Sequence, residues 1–265
     1  MSNSQELIYG SAHVEIHNSN AALGNAAAER AAQLINEAIA ANGHARIMVA
    51  TGNSQIAFID ALTQRSIDWK RVEVFHMDEY ADISDSHSAS FHRWIKTRLE
   101  DKVHPRQVHY IQGDASDLDA EIQRYAGLLQ TAPMDVAFVG FGENGHIAFN
   151  DPPNADFNDP FMVKRVQLDE ACRQQQAGEG HFENLASVPR EAITVTCPGL
   201  FQARAWVSCV PEARKAKAVQ AALEGPISTA CPASLIRNHP NATLYLDNDS
   251  AVLLSAASAA GSLAN

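Results

Sequence analysis

Short apolar runs alternate with longer stretches of helically spaced apolar residues along most of this 265-residue chain. The short runs are bounded by turn residues, which is typical of strands that are buried on both faces. They predict strands near residues 46–50, 71–76, 107–111, 135–140, 193–196, 205–210 and 243–247, with an added strand at Val163–Leu168. Helical spacing predicts helices at 20–42, where Gly43 supplies a C-cap, and near 54–64, 88–100, 116–130 and 212–223.

This alternation of strands and helices predicts an α/β fold. Parallel strands joined through right-handed helical crossovers form a Rossmann-like, doubly wound, mostly parallel sheet with helices on both faces. The sequence has no internal repeat, and the polar stretch 171–184 is too short to separate domains. We therefore expect one domain over residues 1–265, with a frayed tail of small residues after about residue 255.

Polar residues follow the predicted strand at Val136–Val139, in the sequence GFGENGHIAFNDPP. The glycine-punctuated turn predicts that Asn144, His146 and Asp151 lie close together. Ligands of open α/β sheets bind outside the carboxyl ends of the strands, so these side chains are candidates for a functional site. A lone histidine is more often an ordinary turn residue, so its neighbours decide the interpretation.

Two further strand ends carry candidate residues. The segment VEVFHMDEY ends in Asp78 and Glu79. Neighbouring side chains of a strand point to opposite faces, so at most one of these carboxylates can face a given pocket. The strand before TGNSQ leads into a helical pattern from Ile56, and a phosphate is favoured at such a helix N-terminus. The small residues at this turn are Thr51, Gly52, Asn53 and Ser54.

Composition narrows the classes of partner and compartment. The formal net charge is −11, and the longest basic cluster is ARKAK at 213–217, which argues against nucleic acids and membranes as partners. No signal sequence and no apolar run of about 20 residues is present, so we expect a soluble, cytoplasmic protein. Four dispersed cysteines and three histidines lack metal-ligand spacing, so neither a metal nor a cofactor is expected. These residues are Cys172, Cys197, Cys209, Cys231, His76, His87 and His92.

Four motifs together resemble the glucosamine-6-phosphate deaminase (isomerase) family, whose relatives include 6-phosphogluconolactonases. The motifs are TGNSQ, FHMDEY with the downstream HSASFH, GFGENGHIAFNDP and VPEARKAKAVQAALEG, and they are collinear from about residue 45 to residue 246. The resemblance implies a cofactor-free reaction in which a hexosamine 6-phosphate becomes a ketose 6-phosphate and ammonia. A small-molecule sugar phosphate is therefore the expected partner, and the protein could be a homo-oligomer.

The resemblance also implies roles for individual residues. Asp78 matches the base that moves a proton between C2 and C1, and Glu79 supports it. His146 matches the histidine that assists ring opening, and Asp151 stands where the family usually has glutamate. Ser54 and Lys215 match phosphate contacts. Arg173, in EACRQQQAGEGHF, is the candidate phosphate arginine, and Gln174–Gln176 and Glu179 are candidates to line the pocket. The remaining expected substrate contacts are Thr51, Gly52, Asn53 and Gly145.

One position departs from the family. Asn144 stands where these enzymes normally have aspartate, two residues before the histidine. An asparagine can orient an imidazole but has no charge to stabilise the imidazolium, so we expect that Asn144→Asp would speed turnover. The departure keeps two alternatives open. One is hydrolysis of a sugar-phosphate lactone, with His146 activating water, and the other is a catalytically weak sugar-phosphate sensor. The DEY segment favours the deaminase, since lactone hydrolysis needs no base at C2.

Overall fold

A computed structural model describes residues 4–168, 170–178, 180 and 182–255. The predicted fraying of the tail after residue 255 therefore lies outside the described residues. Within them, no helix is long and apolar enough to cross a membrane. The same residues contain no group of three or more His, Cys, Asp or Glu side chains arranged to hold a metal ion.

Eight strands form the main sheet, and only its first pair is antiparallel. In spatial order they are β1 (Gln5–Tyr9), β2 (Ala12–His17), β11 (Ala242–Asp247), β10 (Trp206–Val210), β7 (Val136–Val139), β3 (Ala45–Val49), β4 (Val72–His76) and β6 (Gln107–His109). Every residue of β3, β7 and β10 is buried, which agrees with their mostly apolar sequences. The mostly parallel α/β fold predicted from the sequence is confirmed.

Helices cover both faces of this sheet. The α-helices among the described residues are α1 (Asn20–Asn42), α2 (Ile56–Leu62), α3 (Phe91–Ile95), α4 (Asp101–Val103), α5 (Leu118–Gln130), α6 (Glu170–Gly178), α7 (Cys197–Phe201) and α8 (Ala216–Glu224). Helix α1 begins after Ser19, whose side chain accepts a hydrogen bond from the backbone N–H of Ala22, and it ends at Gly43 in the left-handed conformation. One core lies under α1 and α2, and a second lies under α5, α7 and α8 on the opposite face.

A second, antiparallel sheet has three strands, in the order β5 (Asp78–Tyr80), β9 (Glu191–Val195) and β8 (Val163–Gln167). The added strand expected at Val163–Leu168 is thus present. Two expectations need correction. Asp78 and Glu79 do not end β4 but begin a separate strand, and the strand predicted at 193–196 belongs to this small sheet. Strands β1 and β2 were not predicted.

Candidate active site

A pocket opens at the carboxyl ends of four neighbouring strands, β10, β7, β3 and β4. Segments that follow these strands supply most of its walls, and α6 and the start of α3 supply others. This is the place where open α/β sheets bind ligands. The polar lining side chains are Thr51, Asn53, Ser54, Asp78, His146, Gln176, Arg214 and Lys215.

The loop after β3 places small polar groups on one wall of the pocket. Gly52 has φ +96° and ψ 170°, a conformation open essentially to glycine alone, and a 3₁₀ turn at Asn53–Gln55 then leads into α2. The side chain of Gln55 is buried and donates through Nε2 to Ser54 Oγ and to the carbonyl of Cys209, both at 3.0 Å. Gln55 thereby fixes the hydroxyl of Ser54 relative to β10.

The adjacent carboxylates of β5 point in different directions, as strand geometry predicts. Asp78 lines the pocket, whereas Glu79 accepts hydrogen bonds from Ser90 Oγ and from the backbone N–H groups of Phe91 and His92 at the start of α3. Burial, reinforced by Glu79 and then Asp151, raises the pKa of Asp78 well above its ordinary value. Burial also raises the pKa of Glu79, to about 7. A carboxylate with a raised pKa in a pocket is suited to proton transfer.

His146, which also lines the pocket, forms a close pair with Asp151. His146 Nδ1 lies 2.9 Å from Asp151 Oδ1, and Asp151 is fully buried. Asn144 joins both residues: its Nδ2 donates to Asp151 Oδ1 at 2.8 Å, and its Oδ1 accepts from the backbone N–H of His146 at 3.0 Å. A Cβ on Gly142 would stand 2.3 Å from the ring of His146, so only glycine leaves room for the imidazole.

The thiol of Cys172, a fully buried residue of α6, is a further hydrogen-bond partner of Asp151. Burial alone would raise the pKa of Asp151, but His146, Asn144 and Cys172 together hold it below its ordinary value. Asp151 is therefore ionised at neutral pH. A permanent negative charge next to the ring can stabilise an imidazolium when His146 takes up a proton.

Two basic residues on the loop after β10 complete the pocket. Lys215 is only 4% exposed although it carries an ammonium group. Arg214 lies next to it, with Nε 2.6 Å from Glu212 Oε2 and Nη1 3.2 Å from Glu143 Oε1. Glu212 has φ +83°, and the carboxylate of Asp247 accepts its backbone N–H at 3.0 and 3.1 Å. The strained turn is thus held in the position that brings both cations to the pocket.

The structure brings most of the predicted residues together, but two lie elsewhere. Thr51, Gly52, Asn53, Ser54, Asp78, His146 and Lys215 line the pocket, and Glu79, Asn144 and Asp151 contact or support residues that line it. Gly145 packs against Cys231, with φ +83°, and does not line the pocket. Arg173 is also not a lining residue, because its guanidinium donates to the carbonyls of Leu185 and Val188.

The glutamines at 174–176 also differ in whether they line the pocket. Gln176 lines the pocket, whereas Gln174 is exposed and donates to Glu170. Glu179 and the side chain of Gln175 lie outside the described residues.

Arg214, Cys172 and Gly142 were not predicted as residues of the site. Arg214 could have been inferred from its position next to Lys215 in ARKAK. Cys172 gave no signal, since it is remote in sequence from Asp151 and reaches it only through the packing of α6. Gly142 was one of several glycines in GFGENG, and only the ring of His146 next to it shows why glycine is needed there.

Comparison with known proteins agrees with this fold. Residues 18–245 match the family model of glucosamine-6-phosphate isomerases/6-phosphogluconolactonase. The chain therefore belongs to this family. Among its relatives, the glucosamine-6-phosphate deaminases of Bacillus thuringiensis (strain Al Hakam) and Bacillus anthracis (strain A0248) are each 34% identical over 230 residues, covering 87% of this chain and 86% of theirs.

Solved structures give the same result. The structure of a monomeric glucosamine-6-phosphate deaminase superposes with a TM-score of 0.82 and 28% identity, covering 91% of this chain and 99% of that one. A 6-phosphogluconolactonase from Shewanella baltica OS155 superposes with a TM-score of 0.72 at 20% identity, covering 88% of this chain and 96% of that one. The second likeness shows the shared fold alone.

Proposed function

We propose that this protein is a hexosamine-6-phosphate deaminase that converts a glucosamine 6-phosphate or galactosamine 6-phosphate type of substrate to a ketose 6-phosphate and ammonia. One observation carries the proposal: the carboxylate of Asp78 lines the same pocket as His146 and Lys215. A base, a histidine paired with a buried carboxylate and a cation are the groups that this reaction needs. The relatives of 34% identity are named for this activity.

The geometry supports a sequence of proton transfers. His146, held by Asp151, passes the proton of the 1-hydroxyl to the ring oxygen as the C1–O5 bond breaks, and the pyranose opens to an aldehyde with an amino group at C2. Asp78 then removes the C2 proton and returns it to C1, while the carbonyl oxygen gains a proton and C2 becomes an imine. Water adds to that imine, and ammonia leaves as the C2 ketone forms. The two groups that exchange protons with the substrate in this scheme, His146 and Asp78, line the same pocket, as general acid–base catalysis requires.

Lys215 and Arg214 form the phosphate site of this proposal, together with the hydroxyls of Thr51 and Ser54. In a chain with a net charge of −11, two adjacent cations at one pocket are a local exception. Charge-assisted hydrogen bonds to phosphate are the strong ones, and they distinguish a phosphorylated sugar from a free sugar. Arg214 replaces Arg173 in this proposal, because Arg214 lines the pocket and Arg173 does not.

Lys215→Ala and Arg214→Ala should each weaken binding of glucosamine 6-phosphate by at least about 10-fold, because each removes a charged hydrogen-bond donor. Binding of free glucosamine should not change. Titration calorimetry with both ligands measures the difference. Lys217→Ala is the matched control, since Lys217 is exposed on the same segment and does not line the pocket. Equal losses for both ligands would show that these residues act through structure.

The raised pKa of Asp78 predicts a pH dependence. The base works only when ionised, so kcat/KM should fall as the pH drops through that raised pKa. Because Glu79 is one of the groups that raise it, Glu79→Gln should move the acidic limb of the pH profile to lower pH. Ammonia release measured from acidic to alkaline pH for the wild type and Glu79→Gln tests this. An acidic limb that stays in place in a folded Glu79→Gln protein would contradict the assignment.

An ammonia-release assay across glucosamine, galactosamine and mannosamine 6-phosphates tests the proposed function itself. Release from at least one substrate is expected. No release from any of them would reject the deaminase, and hydrolysis of a sugar-phosphate lactone could then be measured directly. A cytoplasmic location and a homo-oligomeric state remain predictions from the sequence.

A further inference from the structure

The side chain of Gln176 is the pocket's contribution from α6. It is 8% exposed, and it lines the pocket together with Asp78 and His146. It also borders a smaller adjoining cavity that includes Gly52 and Phe91. Gln176 therefore lines the same pocket as the proposed phosphate contacts and the carboxylate that we assign as the base. A hexosamine 6-phosphate with its phosphate at Lys215 and its C2 at Asp78 presents the hydroxyls of its middle carbons, C3 and C4, to this pocket.

Tyr80 orients the amide of Gln176. The hydroxyl of Tyr80 donates to Gln176 Oε1 at 2.6 Å. The ring of Tyr80 is 1% exposed and packs against Phe91, Phe149 and Phe182, with centroid distances of 5.0, 5.1 and 5.4 Å. This aromatic cluster fixes the position of the Tyr80 phenol. The phenol hydroxyl therefore always occupies Oε1 of the Gln176 amide.

The Nε2 group of Gln176 is then left as the donor available to a ligand. Within the described part of the chain, the only hydrogen bond of the Gln176 side chain is the one accepted from Tyr80. Among the described residues, the buried side-chain atoms without a hydrogen-bond partner do not include Nε2 of Gln176. Nε2 is therefore accessible from the pocket. An oriented neutral donor that is neither part of the phosphate loop nor a proton-transfer group is suited to recognising a hydroxyl.

We propose that Gln176 determines the sugar specificity of this enzyme by donating a hydrogen bond from Nε2 to the hydroxyl at C4 of the substrate, with Tyr80 as its positioning residue. The inference rests on the proposed function, because it needs a sugar phosphate in the pocket. A site built around a hydrogen bond to a hydroxyl discriminates strongly against an analogue that lacks it or presents it in another direction. The wild-type enzyme should therefore distinguish C4 epimers.

The kinetic test compares glucosamine 6-phosphate with galactosamine 6-phosphate, its C4 epimer. The wild type should show values of kcat/KM that differ by at least about 10-fold, and Gln176→Met, which keeps the length but removes the donor, should reduce that ratio to within about 3-fold. Tyr80→Phe should give an intermediate ratio, since the amide remains but is no longer oriented. Gln174→Ala, an exposed change on the same helix, should leave the ratio unchanged.

A binding test does not depend on turnover. Calorimetry with glucitol 6-phosphate and galactitol 6-phosphate, which are open-chain and unreactive, should show the same discrimination in the wild type and its loss in Gln176→Met. If no hexosamine phosphate releases ammonia, the proposed function fails, and this measurement still decides the role of Gln176. Equal binding of both sugar alcohols by the wild type, or discrimination retained in a folded Gln176→Met protein, would overturn the inference.

Discussion

Asp78→Asn should lower kcat for ammonia release from a hexosamine 6-phosphate by at least ~100-fold, the low end of the contribution of a general base. The substitution keeps the size of the side chain and removes its capacity to take a proton from C2. Asp78 has the properties of this base because it lines the pocket and because burial, Glu79 and Asp151 raise its pKa. Steady-state assays at pH 8, where wild-type Asp78 is more fully ionised than at lower pH, measure the effect.

Two controls separate loss of the base from loss of the site. Asp78→Asn should bind glucitol 6-phosphate with near wild-type affinity, because the phosphate contacts lie elsewhere in the pocket. Glu79→Gln should reduce kcat by less than about 10-fold at the same pH, since Glu79 supports the start of α3 and does not line the pocket. Near-normal turnover in a folded Asp78→Asn protein would remove the assignment.

Much of the main sheet could be predicted because its central strands are apolar on both faces. The runs in β3, β7 and β10 read as buried strands, and Gly43 correctly ended the first helix. Strands β1 and β2 could not be predicted in the same way. Strand β1 alternates between intermediate and exposed positions at the sheet edge, so it carries no continuous apolar run. The assignment of β9 to the small sheet depends on its long-range pairing with β5 and β8.

The candidate site followed from the sequence wherever a residue comes directly after a parallel strand. Ser54, Asp78 and His146 were found in this way, because strand ends in a parallel sheet converge. Arg173 and Gly145 were expected from the family resemblance instead, and neither lines the pocket. The guanidinium of Arg173 donates to the carbonyls of Leu185 and Val188, and Gly145 packs against Cys231. Both contacts involve other segments of the chain. No local pattern in the sequence encodes those contacts.

The second large effect is expected at Asp151, the carboxylate that is paired with His146. Asp151→Asn should slow turnover of closed-ring substrate by ~100-fold or more, because a neutral amide cannot stabilise the imidazolium that ring opening requires. The charge at this position is well defined, since Asp151 is fully buried, 2.9 Å from His146 Nδ1, and has a lowered pKa. Ammonia release from glucosamine 6-phosphate measures the loss, and circular dichroism confirms that the variant is folded.

The contact between Asn144 and Asp151 reverses the expectation for Asn144→Asp and supplies the sharpest control. The sequence suggested that an added carboxylate would speed turnover, but Asn144 Nδ2 donates to Asp151 at 2.8 Å, so the substitution removes a donor and sets two carboxylates against each other. Turnover should fall by about 10-fold, the effect of losing one hydrogen bond to a charged group. The exchange Asn144→Asp with Asp151→Asn keeps one charge and one amide, but it moves the charge away from Nδ1 of His146. Activity should stay closer to that of Asp151→Asn than to wild type, and full recovery would show that the total charge matters and its position does not.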